Sequence, residues 1–161
     1  MKDRTKQDYG TPRSFISAAQ KRFGRIAWDL CATESNKVCE SYFSPEQDSL
    51  QQDWSVLDGV LWLNPPYSDI RPWASKASTS IRQNNTILML VPAMVGSQWF
   101  RFYVLKYAQI YILSPRISFV GTNGTDQRDY MLAVYRFGES EKFVQQWRWN
   151  GKEERIRKCK S

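Results

Sequence analysis

The stretch Val60-Leu61-Trp62-Leu63-Asn64-Pro65-Pro66-Tyr67 sets a short apolar run directly before a polar turn stiffened by two prolines. Four apolar residues bounded in this way read as a buried strand. At its end the Asn64 side-chain carbonyl can accept a hydrogen bond, and Pro65 and Pro66 stiffen the turn and expose a main-chain carbonyl. The Tyr67 ring offers a face to a planar group. An exocyclic amine attacking an electrophilic methyl group needs this set. Two acceptors hold its N–H groups, orient the nitrogen lone pair and relieve positive charge as the bond forms. The residues point to amino-group methyl transfer, beside the plainer reading of a strand followed by a proline turn.

Outward from this strand, strands and helices alternate. Pro12 opens a helix with Phe15, Ile16, Ala19 and Phe23 on one face, and Gly24 is its stop signal. Residues 25–31 read as a short buried strand, and 38–43 as a strand or a short helix. Ile70, Trp73, Ala74, Ala77 and Ile81 fall at helical spacing over 69–83, and Trp99, Phe100, Tyr103, Val104 and Tyr107 over 97–107. The continuous apolar run 86–91 predicts a strand covered on both faces. Residues 108–113 and 131–135 are two further strands, and 141–149 a short helix. This alternation predicts an α/β fold with a mostly parallel sheet flanked by helices. Ligands in such sheets bind beyond the carboxyl ends of the strands, where strand order reverses. The ends of the 25–31 and 60–63 strands are the two candidate edges of that site.

Composition narrows the chemistry. A chain of 161 residues, 42% hydrophobic and 24% charged, is expected to form one globular domain, 1–161. No apolar run reaches membrane-span length and no signal-peptide core follows Met1, so a cytoplasmic protein without a membrane partner is expected. Cys31, Cys39 and Cys159 form no C-x-x-C pair. The absence of histidine removes Ser-His-Asp and Cys-His catalysis and argues against a metal site. Methyl transfer to an amine tolerates this, because the product ammonium loses its proton to water. The net charge of +7 is concentrated at the end, where Arg148, Lys152, Arg155, Arg157, Lys158 and Lys160 face Glu153 and Glu154. The basic tail 150–161 suggests a nucleic-acid partner or a solvated terminus, and residues 1–10 read as loose.

A methyl donor requires its own contacts. Asp29, at the end of the 25–31 strand, can face the ammonium of S-adenosylmethionine, or can cap the next helix. Asp53 and Trp54 can hold an adenine ring, Asp53 accepting from its amine and Trp54 packing on its face; Trp54 is equally suited to a core.

Four segments carry a resemblance: Thr11-Pro12-x-x-Phe15; Trp28-Asp29-Leu30-Cys31-Ala32-Thr33-x-x-Asn36; Tyr42-Phe43-Ser44-x-x-x-Asp48-x-Leu50-x-x-Asp53-Trp54; and Trp62-Leu63-Asn64-Pro65-Pro66-Tyr67-Ser68-x-Ile70-x-Pro72-Trp73. In this order the chain resembles the phage-type Dam family of DNA N6-adenine methyltransferases. Leu90-Val91-Pro92-Ala93, Trp99-Phe100 and Pro115-Arg116-Ile117-Ser118-Phe119 extend the likeness, which covers most of residues 11–136. The resemblance implies a Rossmann-like S-adenosylmethionine-dependent fold acting on adenine N6 in DNA. Asn64 and the Pro65 carbonyl would take the N6 hydrogens, Tyr67 would stack on the adenine, and the base would be extruded to reach them. Donor contacts carry over to Thr11, Pro12, Asp29, Ala32, Asn36, Asp48 and Asp53.

The segment 31–36 lacks the glycines usual in the donor loop of this fold. With no inserted recognition domain evident, DNA contacts are expected from Arg116 and Arg128 in the 115–129 loop, or from Arg71 and Lys76 beside the turn; an ordinary solvated surface is the alternative for each. Because the same two acceptors orient any planar NH2 group, RNA or a protein amide is an alternative substrate. A nucleic-acid-binding protein of this fold without turnover is a third reading.

Overall fold

The computed structural model describes residues 10–122 and 127–151. The expected loose segment 1–10, apart from Gly10, and the basic tail, apart from 150 and 151, lie outside the described residues. Helix α1 (Arg13–Phe23) starts after Pro12 and stops at Gly24, whose φ of 108° suits glycine and turns the chain into β1 (Ile26–Asp29). Residues 33–53 hold short 3₁₀ turns at Pro45–Gln47 and Ser49–Gln51, and a third follows at Trp54–Val56. Then come β2 (Gly59–Leu63), α2 (Arg71–Thr79), β3 (Asn85–Pro92), α3 (Gln98–Tyr103), β4 (Ala108–Ser114), β5 (Tyr130–Arg136) and β6 (Val144–Arg148).

The strands form one sheet in the order β1-β2-β3-β5-β4-β6. β1, β2 and β3 are parallel to one another and β6 is parallel to β4, while β5 runs against both its neighbours. Outside β1, Tyr42 makes a single parallel bridge to Asp29, so the expected strand at 38–43 is reduced to one bridge. That bridge has a topological consequence. The chain steps to one side of β1 at Tyr42 and to the other side at β2, so strand order reverses at β1. The carboxyl ends of β1 and β2 are therefore the switch point where ligands of such sheets bind.

Period-two alternation divides the core between the faces of the sheet. Leu61, Leu63, Ile87, Met89 and Val91 face α2 and α3. Val60, Trp62, Leu88 and Leu90 face α1 and the segment around Ile117 and Phe119. This two-sided burial explains the uninterrupted apolar run of β3, whose residues are all buried except half-buried Thr86.

Three expectations need correction. Residues 141–149 contain the edge strand β6 instead of a helix. The mixed pattern Phe143-Val144-x-x-Trp147 fits either period, and parallel pairing with β4 decides it. In that strand Trp147 alone is buried, against Phe15 and Phe23 of α1. Helix α2 is shorter than 69–83: it ends at Ser80, whose carbonyl accepts from the buried amide of Asn85. Helix α3 stops at Tyr103, and Tyr107 is exposed instead of sharing the buried side of Trp99, Phe100 and Val104.

Candidate active site

β2 delivers Asn64 to the carboxyl end of the sheet, next to β1, where Leu30 N–H donates to the Trp62 carbonyl at 2.8 Å. Both ends of the half-buried Asn64 amide are held. Its Nδ2 donates to Thr11 Oγ1 at 3.3 Å, and its Oδ1 accepts from the Tyr67 hydroxyl at 2.6 Å. In this pairing the amide nitrogen faces Thr11 and the oxygen faces Tyr67. Oδ1 keeps a second lone pair for another donor. Pro65 is buried and Pro66 half-buried. Pro12 caps α1, its carbonyl accepting from Phe15 and Ile16 N–H.

Tyr67 stands where the two cores meet and packs against both. Its ring lies 6.3 Å from Phe119 and 5.8 Å from Tyr130, which are themselves 5.0 Å apart. The Arg128 guanidinium is 5.7 Å from the Tyr67 ring centroid and 5.6 Å from that of Tyr130, and donates to the Tyr130 hydroxyl at 2.9 Å. Arg116 pairs with Asp129 at 2.8 Å on the same rim. The Asp129 carbonyl accepts from Ala93 N–H, and Val120 N–H donates to Gly10, which joins the loop after β4 to the chain just ahead of Thr11. Gly10 is thus anchored, contrary to the expected loose segment. Neither Phe119 nor Tyr130 had a role assigned from sequence. Tyr130 opens β5 and Phe119 lies in the loop before it, and aromatic residues at such places belong to a buried core equally often.

Asp29 is 2% exposed, and its carboxylate braces the following loop: Oδ1 accepts from Cys31 N–H and Oδ2 from Val38 N–H. Burial pushes its pKa up to about 7 against the lowering effect of those two bonds. Both oxygens thus brace the loop after β1, where the sequence allowed either a group facing the donor or a cap on the next helix. Burial, reinforced by the Asp29 charge, also lifts the Cys31 thiol to about 12, so Cys31 stays protonated and is no nucleophile. Ala32 is buried and its N–H donates to the Phe43 carbonyl. Asn36 is half-buried, its Oδ1 accepting from Thr33 N–H at 2.7 Å. Asp48, exposed and left-handed at φ 49°, links two 3₁₀ turns.

Asp53 and Trp54 lie elsewhere. Their main chain is at the amino end of the sheet, where Asn85 donates to the Trp54 carbonyl. The five residues of β2, about 17 Å of extended chain, separate that end from Asn64. Trp54 is fully buried, stacked on Trp73, with its indole N–H donating to Ser49. Asp53 is exposed and accepts from the N–H and hydroxyl of Ser55. Lys76 lies over the Trp54 ring at 5.2 Å, and Arg71 is the exposed first residue of α2.

Among the described residues no group of three His, Cys, Asp or Glu side chains is placed to hold a metal, and no helix is long and apolar enough to cross a membrane.

A six-stranded α/β sheet with β5 reversed, a switch point at β1 and an Asn-Pro-Pro-Tyr turn beside it define a methyltransferase-type fold. The family model described as DNA N-6-adenine-methyltransferase (Dam) matches residues 1–134, and the chain belongs to that family. It is 39% identical over 98 residues to the DNA N-6-adenine-methyltransferase of Escherichia phage T1, a match covering 61% of this chain and 41% of that protein. It is 32% identical over 124 residues to the protein of the same name from Haemophilus phage HP1 (strain HP1c1), covering 75% of this chain and 70% of that one. The chain thus spans about two fifths of the phage T1 protein and more than two thirds of the phage HP1 protein. No solved structure matches it.

Proposed function

We propose that the protein transfers a methyl group from S-adenosylmethionine to the N6 amino group of adenine in DNA, the base being extruded into the site at Asn64–Tyr67. The observation that carries this reading is the two-ended hold on the Asn64 amide. Thr11 takes the nitrogen end, so Oδ1 is presented as an acceptor. Oδ1 accepts one N6 hydrogen through its remaining lone pair, and the Pro65 carbonyl accepts the other. Both hydrogens are then drawn into the plane of the acceptors and the nitrogen lone pair stands free. As positive charge grows on nitrogen, the same two oxygens stabilise it. Tyr67 supplies the stacking face, and Phe119 and Tyr130 back it.

The loop that follows β1 suits a sulfonium donor in its chemistry. It offers Thr33, Ser35 and Asn36 as neutral polar groups, and Asp48 further along the chain is an exposed carboxylate. Asp29 shapes that loop from beneath. S-adenosylmethionine bound there would supply an electrophilic methyl group. Small side chains at Cys31 and Ala32 serve in place of glycine for close approach. Arg71, Arg116 and Arg128 on the rim, and the net charge of +7, suit a polyanionic substrate.

The deciding experiment is transfer of labelled methyl from S-adenosylmethionine to unmethylated DNA by wild type and Asn64→Ala, followed by nucleoside analysis. The expected result is N6-methyladenine from wild type alone. Label in DNA from both proteins would remove the mechanism, and label in no DNA would remove the substrate.

A further inference from the structure

We propose that Arg128 occupies the stacking place of the target adenine in the DNA-free protein, and that base entry moves its guanidinium from the Tyr67 ring to a DNA phosphate. The inference rests on the reading of Asn64–Tyr67 as an adenine site. Arg128 bridges the two rings of that site, lying 5.7 Å from the Tyr67 centroid and 5.6 Å from that of Tyr130. A guanidinium is planar, delocalised and weakly hydrated, so it stacks on an aromatic face as a base does. One ring face does not hold both groups at once. Adenine stacking on Tyr67 therefore competes with Arg128, unlike the edge contact from Phe119 and the tilted contact from Tyr130.

The surroundings permit the exchange without moving the fold. The main chain beside Arg128 is pinned, since the Asp129 carbonyl accepts from Ala93 N–H and Tyr130 begins β5. The Asp129 carboxylate is engaged with Arg116, 52% exposed on the same rim. The Arg128 side chain has to leave the Tyr67 ring and its 2.9 Å bond to the Tyr130 hydroxyl, and it moves toward the edge that carries Arg116. There the guanidinium pairs with a phosphate as the ring receives a base.

The test compares a single strand that wild type methylates with the same strand carrying an abasic site at the methylated position. At high salt, where phosphate contacts are screened, Arg128→Ala is expected to bind the adenine strand about two- to fivefold tighter than wild type, with the abasic strand unchanged. At low salt the order reverses for the adenine strand, whose salt slope falls by about 1, while Arg128→Lys keeps the wild-type slope. Equal or weaker binding of the adenine strand by Arg128→Ala at high salt overturns the exchange. It would mean that Arg128 closes over the base or never competes with it. If wild type methylates duplex DNA alone, the same comparison is made with the duplex and its abasic counterpart; if it methylates neither, the adenine-site reading falls and the exchange with it.

Discussion

The Tyr67 hydroxyl donates to Asn64 Oδ1 at 2.6 Å, so the aromatic residue of the turn orients the amide as well as offering its ring. Tyr67→Phe separates the two roles. One hydrogen bond of this kind has a net worth of about 1 kcal/mol, so kcat is expected to fall about fivefold with KM for DNA little changed. Tyr67→Ala removes the ring and should raise KM as well. Steady-state methylation of one substrate by the three proteins decides it, and an unchanged kcat in Tyr67→Phe would leave the hydroxyl without a role.

Thr11 holds the other end of the same amide and is 9% exposed. Thr11→Val keeps the shape and removes the acceptor, which leaves the Asn64 nitrogen unpaired and the amide free to turn over. A loss of several-fold in kcat is expected, rescued by Thr11→Ser. Failure of serine to rescue would assign Thr11 to packing alone.

Asp29 predicts a pH dependence of stability. Its carboxyl is raised from 3.8 to about 7 by burial, so between those values the folded chain holds a proton that the unfolded chain has released. The contribution favours the fold fully below pH 3.8 and is lost as the pH rises through about 7. Over that window the melting temperature of wild type should fall more than that of Asp29→Asn. The variant lacks the titration but also cannot accept both N–H bonds, so it should melt lower at every pH. Parallel melting curves across the window would show that Asp29 carries no such linkage.

Trp54 is predicted to matter to the fold and not to the donor. Trp54→Ala should cost about 3–5 kcal/mol in denaturant unfolding, as large-to-small core changes do. Trp54→Phe should fold less stably and keep wild-type KM for S-adenosylmethionine. A raised donor KM in a folded Trp54→Phe would return Trp54 to the site.

What could be read in the chain and what could not divide along physical lines. The apolar runs at 60–63 and 86–91 identified central strands, because strands buried on both faces leave no polar residue to confuse the period. Pro12 and Gly24 marked the limits of α1, because each acts through its own backbone geometry. Asn64-Pro65-Pro66-Tyr67 announced its chemistry for the same reason: the functional groups are contiguous, and a strand end with two prolines presents them together.

Placement across the sheet required the tertiary structure. Asp29 reads as an exposed ligand until the folded loop brings Cys31 and Val38 N–H groups onto its oxygens. Asp53 and Trp54 stand only a few residues ahead of β2, yet the direction of that strand puts them at the opposite end from Asn64. Phe119, Arg128 and Tyr130 reach Tyr67 only because β5 runs back between β3 and β4. By itself the sequence determined the central strands, the turn and the reaction the turn suits, since these depend on neighbours along the chain. The tertiary structure decided which side chains share the turn, since strand order and direction set that distance.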